Sequence, residues 1–236
     1  SKIQYLMHNL DYRNELLGHF DHVEYDSELG KTKGALSPNE FWYFWRERFK
    51  VDDHLGYIEN PSAIEIFYFL RGLNGIKHVF NKPLILKALI ANNHINRILH
   101  HSPNDLLIYV KRHSLYNAQS LIFARENFFG NRNEWYSFNI PDYKLSENPL
   151  HQVIDQVCLT NQLIENKISG IDKDRIFIFE YENFDECFLR LNQWLALKLG
   201  IEQSKTLEKT RISNNIRLGM KDWLEMEEYF KLNYQA

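Results

Sequence analysis

The sequence lacks the features that mark several classes of protein. It has only two cysteines in 236 residues, Cys158 and Cys187, which excludes a disulfide scaffold. Both lie on apolar helix faces, so we expect buried thiols. The sequence has no Asn-x-Ser/Thr glycosylation site and no charged N-terminal segment followed by an apolar core. Its longest apolar stretches, such as residues 64–70, are far too short to cross a bilayer. We therefore expect a cytoplasmic protein with no transmembrane segment, and a lumenal form that has lost an anchor is the alternative.

An excess of charge of one sign is also lacking. The 28 Lys and Arg against 31 Asp and Glu give a formal net charge of −3. Proteins that bind nucleic acid usually carry a clear basic excess, so we expect no nucleic-acid partner. What the sequence does have is core material, with 44% hydrophobic and 14% aromatic residues, and this excludes a disordered chain. The length fits one domain over residues 1–236, and the sequence indicates no oligomeric state.

Short apolar runs alternate with helical patterns over the middle and later parts of the chain. Residues 83–87, 106–110 and 175–179 are typical of buried strands. Helical periodicity predicts helices over residues 92–101, 115–128, 150–168 and 184–199, the last ended by Gly200. Strands that alternate with helices of ten or more residues predict crossover connections and a parallel sheet. The expected fold class is therefore α/β, a three-layer sandwich in which helices flank a central parallel sheet.

Cations follow two of the predicted strands. Lys87 ends the first apolar run, and Lys111 and Arg112 follow the second. Ligands of parallel sheets bind beyond the carboxyl ends of the strands. Two cationic strand ends that face one crevice indicate an anionic ligand, and solvated strand ends are the alternative.

The pattern around Arg112 is more specific. Ser120 lies eight residues after Arg112, on the helix that follows the strand. This arrangement resembles the sulfotransferase superfamily, whose equivalent arginine and serine hold the 3′-phosphate of the donor 3′-phosphoadenosine-5′-phosphosulfate. A guanidinium makes bidentate contacts to phosphate, and a helix-borne hydroxyl adds a neutral donor. Most members have proline two residues after the arginine, where this chain has Ser114. The resemblance implies the P-loop NTPase-like sulfotransferase fold.

Other segments are similar to the family in order and spacing. Residues 82–87 resemble the family's strand that ends in a lysine. Tyr181 lies in a segment similar to the Tyr-Glu-Asp segment, whose tyrosine lies against the nucleotide. The helix that ends at Gly200 also matches. Arg217 and Gly219 are similar to an Arg-x-Gly segment that covers the donor, although this chain is one residue shorter there.

The family's donor loop has no counterpart in the sequence. Members bind the 5′-phosphosulfate in a glycine-containing loop between the first strand and the first helix. Residues 30–32 are not such a loop, because Tyr25 stands where the first glycine is needed. Residues 1–6 are similar to the continuation of the helix after the loop. We therefore expect the first strand and the donor loop to precede Ser1.

The resemblance implies transfer of a sulfuryl group to a hydroxyl or amine of a carbohydrate or small-molecule acceptor, with no metal ion. Lys87 is the expected cation near the sulfuryl group. Cytosolic small-molecule members place a histidine two residues after this lysine, where this chain has Leu89. Other branches use a glutamate shortly after the first helix, so Glu15 is the first candidate for the catalytic base and His19 the second.

The first third of the chain has its own helices. A capping box at Ser37 predicts a helix that carries five consecutive aromatic residues, 41–45. Another helix is predicted to begin at Pro61 and to run through Leu73, with its end at Gly72 to Gly75. Five consecutive residues cover the whole circumference of a helix, so the rings pack on the helix from Pro61 or line an acceptor pocket. We expect residues 27–80 to be a helical insertion that shapes this pocket.

Other functions stay open at the level of sequence. A non-catalytic nucleotide-binding or scaffolding protein with the same fold is favoured slightly by Leu89. A nucleoside-triphosphate kinase of related fold needs an acidic metal ligand at a strand end, and Glu180 is the only partial match. The pair of His19 and His22 has no nearby cysteine and lacks the i,i+4 spacing of helical metal ligands, so no metal site is expected.

Overall fold

A computed structural model of the chain describes residues 27–28, 31–32, 42–49, 60–87, 89–140, 143–144, 146–202 and 214–235. The chain divides into two compact units. The first contains residues 1–50 and 59–88, and the second contains residues 51–58 and 89–236. The prediction of one domain with an insertion over residues 27–80 stays a prediction.

The described part of the first unit contains a pair of short strands and two α-helices. Strand β1 (Ser27–Glu28) pairs antiparallel with strand β2 (Lys31–Thr32). Helix α1 (Trp42–Arg48) carries part of the aromatic run, and helix α2 (Ala63–Phe80) follows it in the chain. The N-terminal capping box predicted at Ser37 lies outside the described residues.

Aromatic rings join α1 to α2. The ring of Phe69 is fully buried, and its centroid lies 4.8 Å from Trp45, 5.0 Å from Phe49 and 5.4 Å from Phe44. Aromatic pairs at such separations stabilise a core beyond the area they bury. Packing of the aromatic run on the helix from Pro61 is thereby confirmed for Phe44 and Trp45.

Helix α2 begins as predicted and ends later than predicted. Ser62 Oγ accepts the backbone N–H of Glu65, and the Glu65 carboxylate accepts the backbone N–H of Ser62, which makes a capping box. The predicted end at Gly72 to Gly75 is wrong, because α2 continues to Phe80 and is capped by Asn81, whose φ is 48°. A Cβ at Gly72 would lie 3.1 Å from Phe44 Cζ. Glycine is therefore present inside α2 because α1 packs closely there, although a helical glycine costs about 1 kcal/mol.

Residues 83–87 do not form the predicted strand. The side chains of Ile85 and Leu86 are 81% and 39% exposed, so this apolar run does not pack into a core. Pro83 also has no N–H to donate to a neighbouring strand. The prediction that Lys87 ends a sheet strand is therefore wrong.

The described part of the second unit contains two parallel strands and five α-helices. Strand β3 (Leu107–Lys111) pairs in parallel with strand β4 (Ile176–Glu180). The helices in chain order are α3 (Ile95–His101), α4 (Ser114–Phe129), α5 (Pro149–Ile168), α6 (Phe184–Leu199) and α7 (Met220–Tyr234). These elements confirm the predicted strands and helices of this region to within two residues, except that the helix expected over 92–101 is divided. A 3-10 turn at Leu89–Asn93 precedes α3 there.

Helices cover both faces of this strand pair. On one face, Tyr109 of β3 is buried in a cluster with Leu99 of α3 and Ile164 of α5. On the other face, Phe177 of β4 is buried with Cys187 of α6. The chain is thus a mixed helical and sheet protein that is mostly helical. Within the described ranges each sheet has only two strands, so the predicted sandwich around a central parallel sheet is not confirmed.

A further apolar cluster joins α4, α5 and α7. Ile122 of α4, Val153 and Ile154 of α5, and Met226 of α7 are all fully buried in it. Burial of four such side chains stabilises the second unit by several kcal/mol, on the order of 1.5–3 kcal/mol each. The cluster fixes α7, and therefore the segment that enters it, against α4.

The two cysteines are free and buried, which confirms the prediction of buried thiols. Burial raises the pKa of the Cys158 thiol to about 11. Among the described helices, none is both long enough and apolar enough to span a membrane.

Candidate functional site

The parallel register brings the ends of β3 and β4 side by side. Lys111 pairs with Glu180, so Arg112 and Tyr181 follow at the same edge of the sheet. The Arg112 Cζ atom lies 5.1 Å from the centroid of the Tyr181 ring. A guanidinium at this distance over a tyrosine ring makes a cation–π contact. Two residues that the sequence placed 69 positions apart in one predicted site are therefore in contact.

Ser120 turns back towards Arg112 from helix α4. Arg112 Nη1 donates to Ser120 Oγ at 3.3 Å. The hydroxyl of Ser120 in turn donates to the backbone carbonyl of Tyr116, one turn earlier, at 2.9 Å. The strand–turn–helix connection thus brings the predicted arginine and serine together.

Arg217 reaches the same hydroxyl from a distant part of the chain. Its Nη2 atom donates to Ser120 Oγ at 3.1 Å across 97 positions. Its Cζ atom also lies 4.7 Å from the centroid of the Phe123 ring, which is on the same face of α4 as Ser120. Sequence reasoning missed Phe123, although its i+3 spacing from Ser120 was a usable signal. Arg112, Ser120 and Arg217 together are called the arginine clamp below.

The arginine clamp concentrates positive charge. Burial lowers the pKa of the Arg112 guanidinium, and the neighbouring Arg217 lowers it further, whereas Tyr181 and Glu182 act in the opposite direction. Arginine remains charged at neutral pH in spite of such shifts. Glu182 accepts the backbone N–H of His113 at 2.8 Å. Two like charges held at one hydroxyl form a site that a bound anion would stabilise.

Gln119 is a residue of this site that sequence reasoning missed. Its side chain is fully buried. Its Oε1 atom accepts the backbone N–H groups of Arg217 at 2.6 Å and Leu218 at 3.1 Å, and its Nε2 donates to the carbonyl of Asn215 at 2.9 Å. These bonds fix the segment that carries Arg217 onto α4. The sequence could have indicated Gln119, because it lies three residues before Ile122 and therefore on the same, buried face of α4. A glutamine is rarely buried unless its side chain has hydrogen-bond partners.

Four further residues were predicted for the site, and they are Gly219, Lys87, Glu15 and His19. Gly219 is the N-cap residue of α7, and its carbonyl accepts the N–H of Trp223 at 3.0 Å. A Cβ at Gly219 would meet nothing within 4 Å, so no close approach requires glycine there. Lys87 is exposed and belongs to the first unit. Glu15 and His19 lie outside the described residues. The roles of these four residues stay predictions.

No protein-family model, curated protein or solved structure matches the chain. The functional conclusion therefore depends on the geometry of the arginine clamp and on the sequence pattern that predicted it. Over the ranges that the structure describes, no three His, Cys, Asp or Glu side chains are grouped so as to hold a metal ion. The chemistry that the clamp offers is the recognition of an anion by two guanidinium groups and a hydroxyl.

Proposed function

We propose that the chain is a sulfotransferase that binds 3′-phosphoadenosine-5′-phosphosulfate. Arg112, Ser120 and Arg217 hold the 3′-phosphate of this donor, and Tyr181 lies against the nucleotide. The observation that supports the proposal most strongly is the convergence of two guanidinium groups on Ser120 Oγ, at 3.3 Å and 3.1 Å. The sequence pattern had assigned a nucleotide contact to each of these residues.

A phosphate monoester is the anion that fits the arginine clamp best. Guanidinium groups form paired, charge-assisted hydrogen bonds to phosphate oxygens, and these bonds are about twice as strong as neutral ones. In the ligand-free chain, Ser120 Oγ accepts one N–H from each arginine. A hydroxyl oxygen with two cationic donors thus occupies a position equivalent to that of a phosphate oxygen. The aromatic ring of Tyr181 beside Arg112 adds a surface on which a base can stack.

Sulfuryl transfer requires few further groups. A hydroxyl or amine of a carbohydrate or small-molecule acceptor attacks sulfur, the bond from sulfur to the phosphate oxygen breaks, and 3′-phosphoadenosine 5′-phosphate leaves. A base takes the acceptor's proton, and Glu15 and then His19 are the candidates. Lys87 is the candidate cation for the non-bridging oxygens, where negative charge spreads as in phosphoryl transfer. No metal ion takes part in this proposal.

A non-catalytic protein that binds the same nucleotide is the second candidate. It is favoured by the finding that Lys87 does not end a sheet strand and by Leu89, which stands where cytosolic members have a histidine. Both candidates use the arginine clamp in the same way. They differ only in whether bound donor is turned over.

Substitution of Arg112 tests the nucleotide site. Arg112→Ala is expected to weaken binding of 3′-phosphoadenosine 5′-phosphate by more than tenfold, about 1.4 kcal/mol or more, because it removes a charge-assisted contact to phosphate. Isothermal titration calorimetry measures the change. Arg190→Ala is the matched control, since Arg190 is an arginine of α6 whose side chain is 62% exposed, and it should leave the affinity unchanged. Equal affinities for wild type and Arg112→Ala would remove the basis of the proposal.

A transfer assay separates the two candidates. The full-length gene product is incubated with donor labelled in the sulfuryl group and with a panel of carbohydrate, phenol and amine acceptors. Label in any acceptor, lost in Arg112→Ala and retained in Arg190→Ala, supports the enzyme. Tight nucleotide binding with no transfer to any acceptor supports the non-catalytic protein.

A further inference from the structure

A second cationic region of the second unit surrounds a cavity of about 440 Å³. The cavity lies between α3 and the end of α5. Its lining includes four basic side chains, which are Arg97, His100 and His101 of α3 and Lys167 of α5. None of the described residues that line it is an aspartate or a glutamate. In a chain whose net charge is −3, Arg97 and Lys167 bring positive charge to this one cavity from two different helices.

Neutral donors complete the lining. Asn96 and Asn166 present side-chain amides from the two helices, and Ser169 presents a hydroxyl. The Ser169 hydroxyl donates to the backbone carbonyl of Asn166 at 2.9 Å. Amide N–H groups beside cations are the combination that proteins use for phosphate and sulfate oxygens.

The pKa of the buried His94, which directly precedes α3, is affected by two of the cations that line the cavity. Burial is the main reason that the pKa of His94 falls to about 3, and the charges of Arg97 and Lys167 lower it further. Arg97 and Lys167 come from different helices, yet both act on this one buried ring. Both cations also line the cavity itself.

The carbonyl groups at the C-terminal end of α3 are contacted by an arginine, which reduces their repulsion of an anion in the cavity. The last carbonyls of a helix carry partial negative charge. Arg175 donates to the carbonyl oxygens of Leu99, Ser102 and Asp105 at 3.0, 2.7 and 2.9 Å. Its guanidinium offsets that partial charge.

The cavity is separate from the arginine clamp. His101 precedes the start of β3, and Ile171 precedes the start of β4, so the cavity lies towards the amino ends of the strands. Arg112 and Tyr181 lie beyond their carboxyl ends. A strand of five residues is about 16 Å long, and this separates the two regions.

We propose that this cavity is a second anion-binding site, which takes a ligand that bears at least two phosphate or sulfate groups. Cations on both walls match a ligand with two anionic groups better than a single inorganic ion. The shared chemistry is a tetrahedral oxyanion, carried either by a phosphorylated metabolite or by a sulfated saccharide. The proposal does not depend on sulfuryl transfer.

The test uses the full chain with the clamp disabled by Arg112→Ala and Arg217→Ala. Inorganic pyrophosphate and a disulfated disaccharide are titrated separately by calorimetry. We expect at least one of the two probes to bind, and the additional pair Arg97→Gln and Lys167→Gln to weaken it by at least tenfold. The matched control pair is Arg190→Gln and Lys198→Gln on α6, and it should change the affinity by less than twofold.

A second measurement follows the lining imidazoles directly by NMR. The imidazole proton resonances of His100 and His101, assigned with His100→Asn and His101→Asn, should shift when the bound probe is added to the clamp-disabled chain. Binding by pyrophosphate alone identifies a phosphorylated ligand, and binding by the saccharide alone identifies a sulfated one. The proposal is overturned if neither probe binds, if the Gln pair leaves the affinity unchanged, or if the resonances do not shift.

Discussion

The donor position and both acceptor positions of the Ser120 hydroxyl are occupied by hydrogen bonds within the chain. Its oxygen accepts from Arg112 and from Arg217, and its proton goes to the carbonyl of Tyr116. A hydroxyl has one donor and two acceptor positions, so these three bonds fill it. We expect a bound phosphate to take over the serine proton and the guanidinium N–H groups together. Because the two arginine side chains are already ordered by the fold, binding does not have to restrict them further, and this favours affinity.

Gln119 carries a prediction at the scale of the single residue. Gln119→Met keeps the length of the side chain and removes its three hydrogen bonds to the segment of residues 215–218. Arg217 then loses its fixed position, so affinity for 3′-phosphoadenosine 5′-phosphate should fall about as far as in Arg217→Ala. The double variant should be little weaker than either single one, because both remove the same contact.

Calorimetry on the wild type, the two single variants and the double variant measures this coupling. A role of Gln119 in stability alone would lower the free energy of unfolding and leave the two effects on affinity additive. Additive effects would therefore contradict the positioning role.

His94 carries a prediction of pH dependence. Its pKa is about 3 in the folded chain against 6.5 for an ordinary histidine, so protonation favours the unfolded chain. The stability from the neutral ring is fully present above pH 6.5 and decreases as the pH falls towards 3. Between pH 7 and pH 5 the loss from this one group should be about 2 kcal/mol. Urea denaturation at both pH values, on the wild type and on His94→Gln, measures it. An equally steep loss in His94→Gln would assign the effect to other groups.

Site residues whose partners are close in the chain were easier to predict from the sequence than those whose partners are distant. Arg112 and Ser120 were predicted from the resemblance of one short strand–turn–helix segment to the sulfotransferase superfamily, and they are in contact in the structure. Arg217 was found only through its similarity to a segment of known sulfotransferases. Gln119 was missed because its partners lie almost a hundred positions away, at Arg217 and Leu218. The sequence could place Gln119 on the buried face of its helix, but it could not identify hydrogen-bond partners at that separation.

At the scale of the element, helix α7 is held to α5 by a buried carboxylate. Asp155 accepts the hydroxyl groups of Tyr229 at 3.0 Å and Tyr234 at 2.6 Å, both from α7, and that of Tyr143 at 2.5 Å. Burial is the main cause that raises the pKa of each tyrosine, and the hydrogen bond to Asp155 adds to it. The three hydroxyl groups satisfy a charge that would otherwise be costly to bury.

Removal of one hydroxyl tests this anchor. Tyr234→Phe should lower the free energy of unfolding by about 1.5 kcal/mol, because a hydrogen bond to a buried charge is worth more than a neutral one. Chemical denaturation measures the change. Tyr68→Phe on the exposed side of α2 is the matched control and should change stability by less than about 0.5 kcal/mol. Equal stability of Tyr234→Phe and Tyr68→Phe would show that the hydrogen bond from Tyr234 to Asp155 does not stabilise the attachment of α7.

Elements were predictable where the determinants are local. Strand β4 and helix α6 follow from an apolar run and from Gly200, which adopts a φ of 63° at the end of the helix. The end of α2 was not predictable, since the glycine at position 72 reflects contact with Phe44 on another helix. Residues 83–87 show the same limit, because an apolar run becomes a strand only when another strand pairs with it.

At the scale of the whole molecule, the net charge of −3 does not show how the cations are distributed. Two separate groups of them lie in the described part of the second unit. In the second unit, the arginine clamp lies at the carboxyl ends of β3 and β4, and the cavity lined by Arg97 and Lys167 lies towards their amino ends. The near-neutral net charge gave no indication of these local groups of cations. Local placement of charge, which follows from strand register and helix packing, decides what such a chain can bind.

The central claim is that the arginine clamp recognises the 3′-phosphate of a nucleotide. The most direct measurement is the affinity of the wild type for 3′-phosphoadenosine 5′-phosphate relative to adenosine 5′-monophosphate, which lacks that phosphate, repeated on Arg112→Ala and Arg217→Ala. We predict that the wild type prefers the bisphosphate by at least about tenfold and that either substitution removes most of this preference. A preference of the same size in all three proteins would contradict the claim, because the 3′-phosphate would then be bound elsewhere or not at all.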